Sequence, residues 1–381
     1  MKNPKALLTS LAAAALLVAC GGGSDKPEYV SVVSFGDSVS DAGTYKVGSV
    51  AALQGGKWTV NGGDDKTWTE VLAVALRVPA QCAARTGMTP NNGVTGAAIT
   101  NIAACNNYAQ GSSRVTFEGS GPNGVSLQAF GQANLGFMAN SLQEQMTRHL
   151  AKVGGSFAGN ELVTVNAGGN DAFMNLNGVA SAAGGGVVAQ GAAQIAGWPA
   201  SVVAAVGAGG APAANAAAQA AGVAMGAAGT ELANYIKTLL VAKGAKYVVV
   251  RNLGNLNATP FGASLDAGTK GLITSITNAF NTSLKTGLNG TAGVLIYDDY
   301  AESDLIAANP AAYGFTNITA RACGANAFGT PNGSSLVCNA SNLIAGDTSR
   351  YAFADDVHVT PYAHRKIAEI VLSKMAAVSW Y

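Results

Sequence analysis

Histidine is scarce in this chain, with only His149, His358 and His364 among 381 residues. No Cys-x-x-Cys pair is present to complete a tetrahedral ligand set with them, so neither a structural zinc site nor any other metal or cofactor is expected. Charge is also sparse, at 11% of residues, and no basic block occurs. Without such a block there is no electrostatic footprint for a phosphate backbone, and nucleic acid is excluded as an expected partner. From Ala172 to Thr230 charge is missing altogether, and Ala and Gly dominate around Trp198, Pro199 and Met225. A membrane span does not follow from that, because Ala and Gly contribute little insertion energy and Pro199 and the glycine clusters interrupt any 20-residue apolar helix.

A hydrophobic fraction of 49% over 381 residues can bury a full core, and strand and helix signals recur from Tyr29 onward without a linker-like gap. One domain over residues 29–381 is expected. Before it, Lys2 and Lys5 precede the uncharged run Ala6 to Val18 and the tetrapeptide Leu17-Val18-Ala19-Cys20. Residues 1–19 read as an export signal, and Cys20 resembles the acylated first residue of a bacterial lipoprotein, followed by a flexible tether over 20–28. An ordinary secretory signal cleaved elsewhere is the alternative. Loss of Lys2 and Lys5 would leave 20 of the 22 basic residues against 21 acidic ones, a net charge of −1. Four cysteines then remain, Cys82, Cys105, Cys323 and Cys338, an even count that suggests two disulfides in an exported protein. Three pairings are possible, and local closure favours Cys82 with Cys105 and Cys323 with Cys338. The sequence specifies no oligomeric state.

Four stretches carry chemistry. Tyr29 to Phe35 is a β-branched and aromatic run suited to a buried strand, and it stops at Gly36-Asp37-Ser38. A hydroxyl is thereby set at the carboxyl end of a strand, where open α/β sheets place their ligands. The same triplet also suits a plain turn or helix cap. Asn107-Tyr108-Ala109-Gln110-Gly111-Ser112 offers a backbone N–H at Gly111. Leu162 to Val165 leads into Gly168-Gly169-Asn170-Asp171, and Asp355-Asp356-Val357-His358 sets a carboxylate three residues before an imidazole. In this order the four resemble the signature of the GDSL, or SGNH, hydrolases, and the resemblance runs from about Val30 to Ala368. It includes the phrase Asn309-Pro310-Ala311-Ala312-Tyr313-Gly314-Phe315, found in bacterial secreted members. Some of those carry a C-terminal membrane barrel. Here Tyr381 follows soon after the last expected helix, and a lipid on Cys20 is the expected anchor.

The resemblance implies a three-layer αβα sandwich with a central, mainly parallel sheet, flavodoxin-like in plan. Alternating helices (Thr67 to Leu76, Ser141 onward, Glu231 to Ala242, Thr269 to Leu288, Pro361 to Ala377) and short apolar strands fit it independently. It also implies an esterase or lipase. Ser38 would be the nucleophile, His358 its base and Asp355 the orienter, with the N–H groups of Ser38 and Gly111 and the amide of Asn170 as oxyanion donors. No Gly-x-Ser-x-Gly elbow occurs, which argues against an α/β-hydrolase. Val39, Ser112, Asp356 and Val359 depart from the family pattern, where leucine, a second glycine, glycine and proline are usual. Asp356 adds a carboxylate near the imidazole and would shift the pH optimum. His149 and His364 read as structural. The uncharged segment 172–230 reads either as part of an acyl-binding wall or lid, or as a passive insertion. The expected substrate is an acyl lipid or small ester. A carbohydrate O-acyl esterase is the second reading, and a catalytically degenerate surface-binding lipoprotein is the alternative from another class.

Overall fold

The computed structural model describes residues 26–90, 94–117 and 139–381. The expected signal segment 1–19, Cys20 and the first part of the tether lie outside the described residues. In chain order the main elements are β1 (Ser31–Phe35), α1 (Trp68–Ala75), β2 (Arg85–Met88), β3 (Ala97–Asn101), α2 (Leu142–Lys152), β4 (Glu161–Asn166) and α3 (Gly169–Ala182). Then come α4 (Gly186–Ala196), α5 (Ala200–Gly207), α6 (Gly210–Tyr235), β5 (Tyr247–Arg251), α7 (Ala267–Leu288), β6 (Val294–Tyr297) and α8 (Asp299–Ala308), followed by β7 (Asn317–Arg321), β8 (Tyr351–Phe353) and α9 (Pro361–Ala377).

The central sheet has the order β1-β4-β5-β6, and every neighbouring pair in it is parallel. The middles of its strands are largely apolar because both faces are covered. The rows Val33–Val163–Val248–Val294 and Phe35–Val165–Val250–Ile296 face one helical layer. Val32, Leu162 and Val249 face α1 and α9 on the other side, among Trp68, Leu72, Ile367 and Val371. The fold is thus an αβα sandwich with a core on each side of the sheet. Outside β1, residues 106–110 extend the parallel pattern without forming a full strand. The Ser34 N–H donates to the Asn106 carbonyl (3.0 Å) and the Tyr108 N–H to that of Ser34 (2.7 Å). That edge brings the Gly111 loop beside Ser38.

The segment from Ala172 to Thr230 is helical almost throughout, from α3 into α6. Its close packing depends on missing side chains. A Cβ on Gly229 of α6 would lie 2.3 Å from the Phe280 carbonyl oxygen of α7, and one on Gly178 of α3 would lie 2.7 Å from the Trp198 ring. Fully burying a Val or Leu contributes roughly 1.5–3 kcal/mol, and an alanine layer compensates for its smaller area by backbone approach. Only Phe173 and Met174 of this segment line the large cavity described below. Residues 175–230 do not line it, because α4 and α6 stack on α3, α6 also packs on α7, and α5 packs on α4 and α6. Disulfides join Cys82 to Cys105 and Cys323 to Cys338, consistent with an oxidising compartment. Among the described residues, no helix is long and apolar enough to cross a membrane.

Candidate active site

Strand β1 ends where backbone must pass close to β4: a Cβ on Gly36 would lie 2.4 Å from Asn166 Oδ1. The turn is clamped by Gln145 of α2, which accepts from the Gly36 N–H (2.8 Å) and donates to its carbonyl (2.9 Å). Asp37 caps the following 3-10 turn, Ser38–Ser40, and accepts from the Val39 N–H (3.1 Å) and from Asn166 Nδ2 (2.7 Å). Burial pushes the Asp37 carboxyl up, against these hydrogen bonds and the Arg251 charge. Ser38 is held at the carboxyl edge of the sheet with 9% of its surface exposed.

His358 arrives from the other end of the chain on a turn between β8 and α9. Asp355 Oδ1 accepts the N–H groups of Val357 (3.1 Å) and His358 (2.8 Å), so one carboxylate both closes the turn and faces the imidazole. His358 Nδ1 lies 2.9 Å from each Asp355 oxygen, and Nε2 lies 2.9 Å from Ser38 Oγ. Asp355 Oδ2 also accepts the Ser335 N–H (2.9 Å). Burial alone would raise the Asp355 carboxyl, but His358 and the hydrogen bonds from His358 and Ser335 outweigh it and hold the group below the usual carboxylate range. Asp356 turns away and pairs with Arg321.

The donors expected for an oxyanion divide. Asn170 donates from Nδ2 to the Ser113 carbonyl (2.9 Å) and lines the cavity described below. The expectation for Gly111 is corrected: its N–H donates to Asp41 Oδ2 (2.9 Å) and is consumed there. Asp41 is fully buried and also accepts from the N–H groups of Gly43 (2.9 Å) and Thr44 (2.7 Å); burial pushes its carboxyl up to about 6 against those bonds. The next residue, Ser112, lines the cavity, and its φ of 73° lies in the left-handed region that favours glycine. No acceptor for the Ser112 N–H occurs among the described residues. The family's usual second glycine at this position was the available signal.

The hydrogen-bonded chain Ser38–His358–Asp355 lies within the stretch that a comparison with known families matches. The model of the GDSL-like lipase/acylhydrolase family matches residues 32–371. The chain belongs to this family. It is accordingly a hydrolase acting on ester bonds. A search of curated proteins finds no match.

Around Ser38 lies a cavity of about 620 Å³ also lined by Ser112, Asn170 and His358. Its walls are largely apolar, with Phe173 and Leu253 on one side and Phe315 and Phe353 on another. Two features had no sequence signal. Arg114 and Asp171 form a buried ion pair (2.9 Å), and Asp171 accepts the Val115 N–H (3.1 Å). They tie the Ser112 loop to the start of α3 and so fix Ser112 relative to Asn170. Trp58 stacks on the His358 ring, with centroids 4.8 Å apart.

The other two histidines do not line this cavity. His149 is buried among Phe35, Tyr108 and Phe157, and burial, helped by Lys152, pushes it down to about 4. His364 Nδ1 accepts the Trp68 N–H (3.2 Å) at the start of α1, and burial lowers its pKa. Among the described residues no group of three or more His, Cys, Asp or Glu side chains is placed to hold a metal ion.

Proposed function

We propose that the protein is a serine carboxylester hydrolase in which Ser38 Oγ attacks the ester carbonyl and His358 Nε2 takes its proton. The supporting observation is the continuous chain Ser38 Oγ, His358, Asp355 with contacts of 2.9 Å at each link. His358 then returns the proton to the departing alcohol, leaving an acyl-Ser38 that water hydrolyses by the reverse sequence. Asp355 holds the imidazole tautomer and stabilises its cation. The tetrahedral oxyanion is received by the N–H groups of Ser38 and Ser112 and by the second Nδ2 hydrogen of Asn170, three donors from three loops at the sheet edge. The apolar cavity walls support an acyl chain as the group bound beyond the carbonyl, hence acyl lipids or small acyl esters.

The test is a hydrolysis panel with the purified protein: p-nitrophenyl esters of increasing chain length, phospholipids and acetylated sugars. Turnover that rises with chain length supports the reading, whereas preference for acetylated sugars would move the assignment to a carbohydrate O-acyl esterase. A fluorophosphonate probe should label wild type and not Ser38→Ala. Absence of both labelling and turnover would favour a degenerate binding protein. For export we propose a lipid on Cys20 as the membrane anchor. Mass spectrometry of the mature N-terminus should find Cys20 acylated, and an unmodified start elsewhere would overturn it.

A further inference from the structure

We propose that Trp58 is a positioning residue for the catalytic imidazole and that Gly111 is glycine in order to seat its indole. The inference rests on the assignment of His358 as the base. The Trp58 and His358 rings lie at an interplanar angle of 31° with centroids 4.8 Å apart. The two loops are joined one residue on, where the Thr59 side-chain hydroxyl donates to the Val359 carbonyl (2.9 Å). Tyr45 packs edge-on against the indole from another side, at 6.4 Å, and its hydroxyl donates to the Gly111 carbonyl (2.6 Å). Asn61 fastens the loop that bears Trp58 to the one that bears Ser335, by donating from Nδ2 to the carbonyls of Ser335 (3.0 Å) and Cys338 (3.1 Å).

Gly111 completes the seat. Its φ is not among the positive values, so backbone conformation does not require glycine. Space does: a Cβ there would lie 2.4 Å from Trp58 Nε1 and 2.7 Å from Cε2. The indole N–H is buried against this glycine, with no hydrogen-bond partner among the described residues. An unmet buried donor is costly, so the gain from the seat lies in the ring face that it turns to His358. An aromatic face restricts the imidazole to the plane in which it reaches both Ser38 and Asp355, and it attracts the imidazolium that forms as Ser38 is deprotonated.

Trp58→Leu should lower kcat for p-nitrophenyl acetate about 10- to 100-fold with KM within about threefold, while Trp58→Phe, which keeps a ring, should stay within about fivefold of wild type. Gly111→Ala should reproduce the Trp58→Leu loss. Protein labelled with ¹³C in its histidine rings gives three Cε1–H resonances, with that of His358 identified by its disappearance in His358→Gln. Loss of the indole ring current should move the His358 resonance in Trp58→Leu and leave those of His149 and His364 in place. An unmoved His358 resonance, or a Trp58→Leu kcat within threefold of wild type, overturns the proposal. Where all three resonances move, Trp58→Leu has disturbed the fold and Trp58→Phe decides, a loss of tenfold or more counting against the proposal. Retention of activity by Ser38→Ala would instead defeat the catalytic assignment, which separates the two failures.

Discussion

The carboxyl edge of the sheet and the small-residue helices from α3 to α6 solve opposite problems. At the edge, each functional group is specified by directed bonds: Asp37 caps the turn of Ser38, Asp355 closes the turn of His358, and Arg114 with Asp171 sets Ser112 against Asn170. In the helical layer, position is specified by what is missing, since Gly178 and Gly229 let a ring and a carbonyl come within the space of a methyl group. Loss of an atom should therefore be felt at the edge as lost chemistry, whereas gain of an atom should be felt in the layer as lost stability.

The largest expected effect is on the chemistry alone. Ser38→Ala and His358→Ala should each lower kcat by roughly 10⁴-fold or more, and because the two act as a unit, the double variant should be hardly worse than either. Thermal unfolding should show all three still folded; comparable losses of stability would erase the contrast between the two regions. Asn170→Ala deletes one donor of the proposed three and should cost about 10²- to 10³-fold in kcat with a smaller change in KM. A loss seen mainly in KM would place Asn170 in substrate binding instead.

Acid should lower stability through the buried histidines. His149 is neutral when buried, and its pKa is lowered from 6.5 to about 4. Its stabilisation is complete above the unfolded value and is lost as pH falls from about 6.5 to 4, because the unfolded chain takes up a proton that the folded one refuses. That difference is on the order of 3 kcal/mol, and His364 adds a loss of the same sign. Denaturant titrations at pH 7.5, 5.5 and 4 should show a shallower decline for His149→Phe than for wild type, and equal slopes would refute the cause.

The smallest effects offer the sharpest comparison within one helix. Gly222 and Gly229 both lie in α6, but nothing lies within 4 Å of a Cβ on Gly222. Gly222→Ala should stabilise by roughly 0.5–1 kcal/mol through helix propensity, while Gly229→Ala should destabilise by about 1–3 kcal/mol through overpacking against Phe280. kcat should be unchanged in both, and the same sign of stability change in the two would undo the reading of the layer.

The strands of the central sheet were legible because parallel strands buried on both faces must be largely apolar, as Tyr247 to Val250 is. Ser38, Asn170, Asp355 and His358 could be proposed from sequence because each sits in a short phrase at a strand end or turn, and the fold brings them to one cavity. Two things were hidden. Helices α4 to α6 carry no apolar stripe, since Ala and Gly differ too little from their neighbours for periodicity to register. The choice between Gly111 and Ser112 depends on a buried carboxylate, Asp41, 70 residues from the amide it captures. Trp58 was similarly silent, because stacking on His358 joins residues 300 positions apart.

On the proposed assignment, the separation of 320 positions between Ser38 and His358 also governs when the protein becomes active. A chain emerging from its amino terminus presents the nucleophile first and its base almost last, so every shorter intermediate is chemically mute. The first ester cleaved therefore dates the moment at which β8 and α9 have docked on the sheet, and onset of turnover during refolding is a clock for completion of the fold.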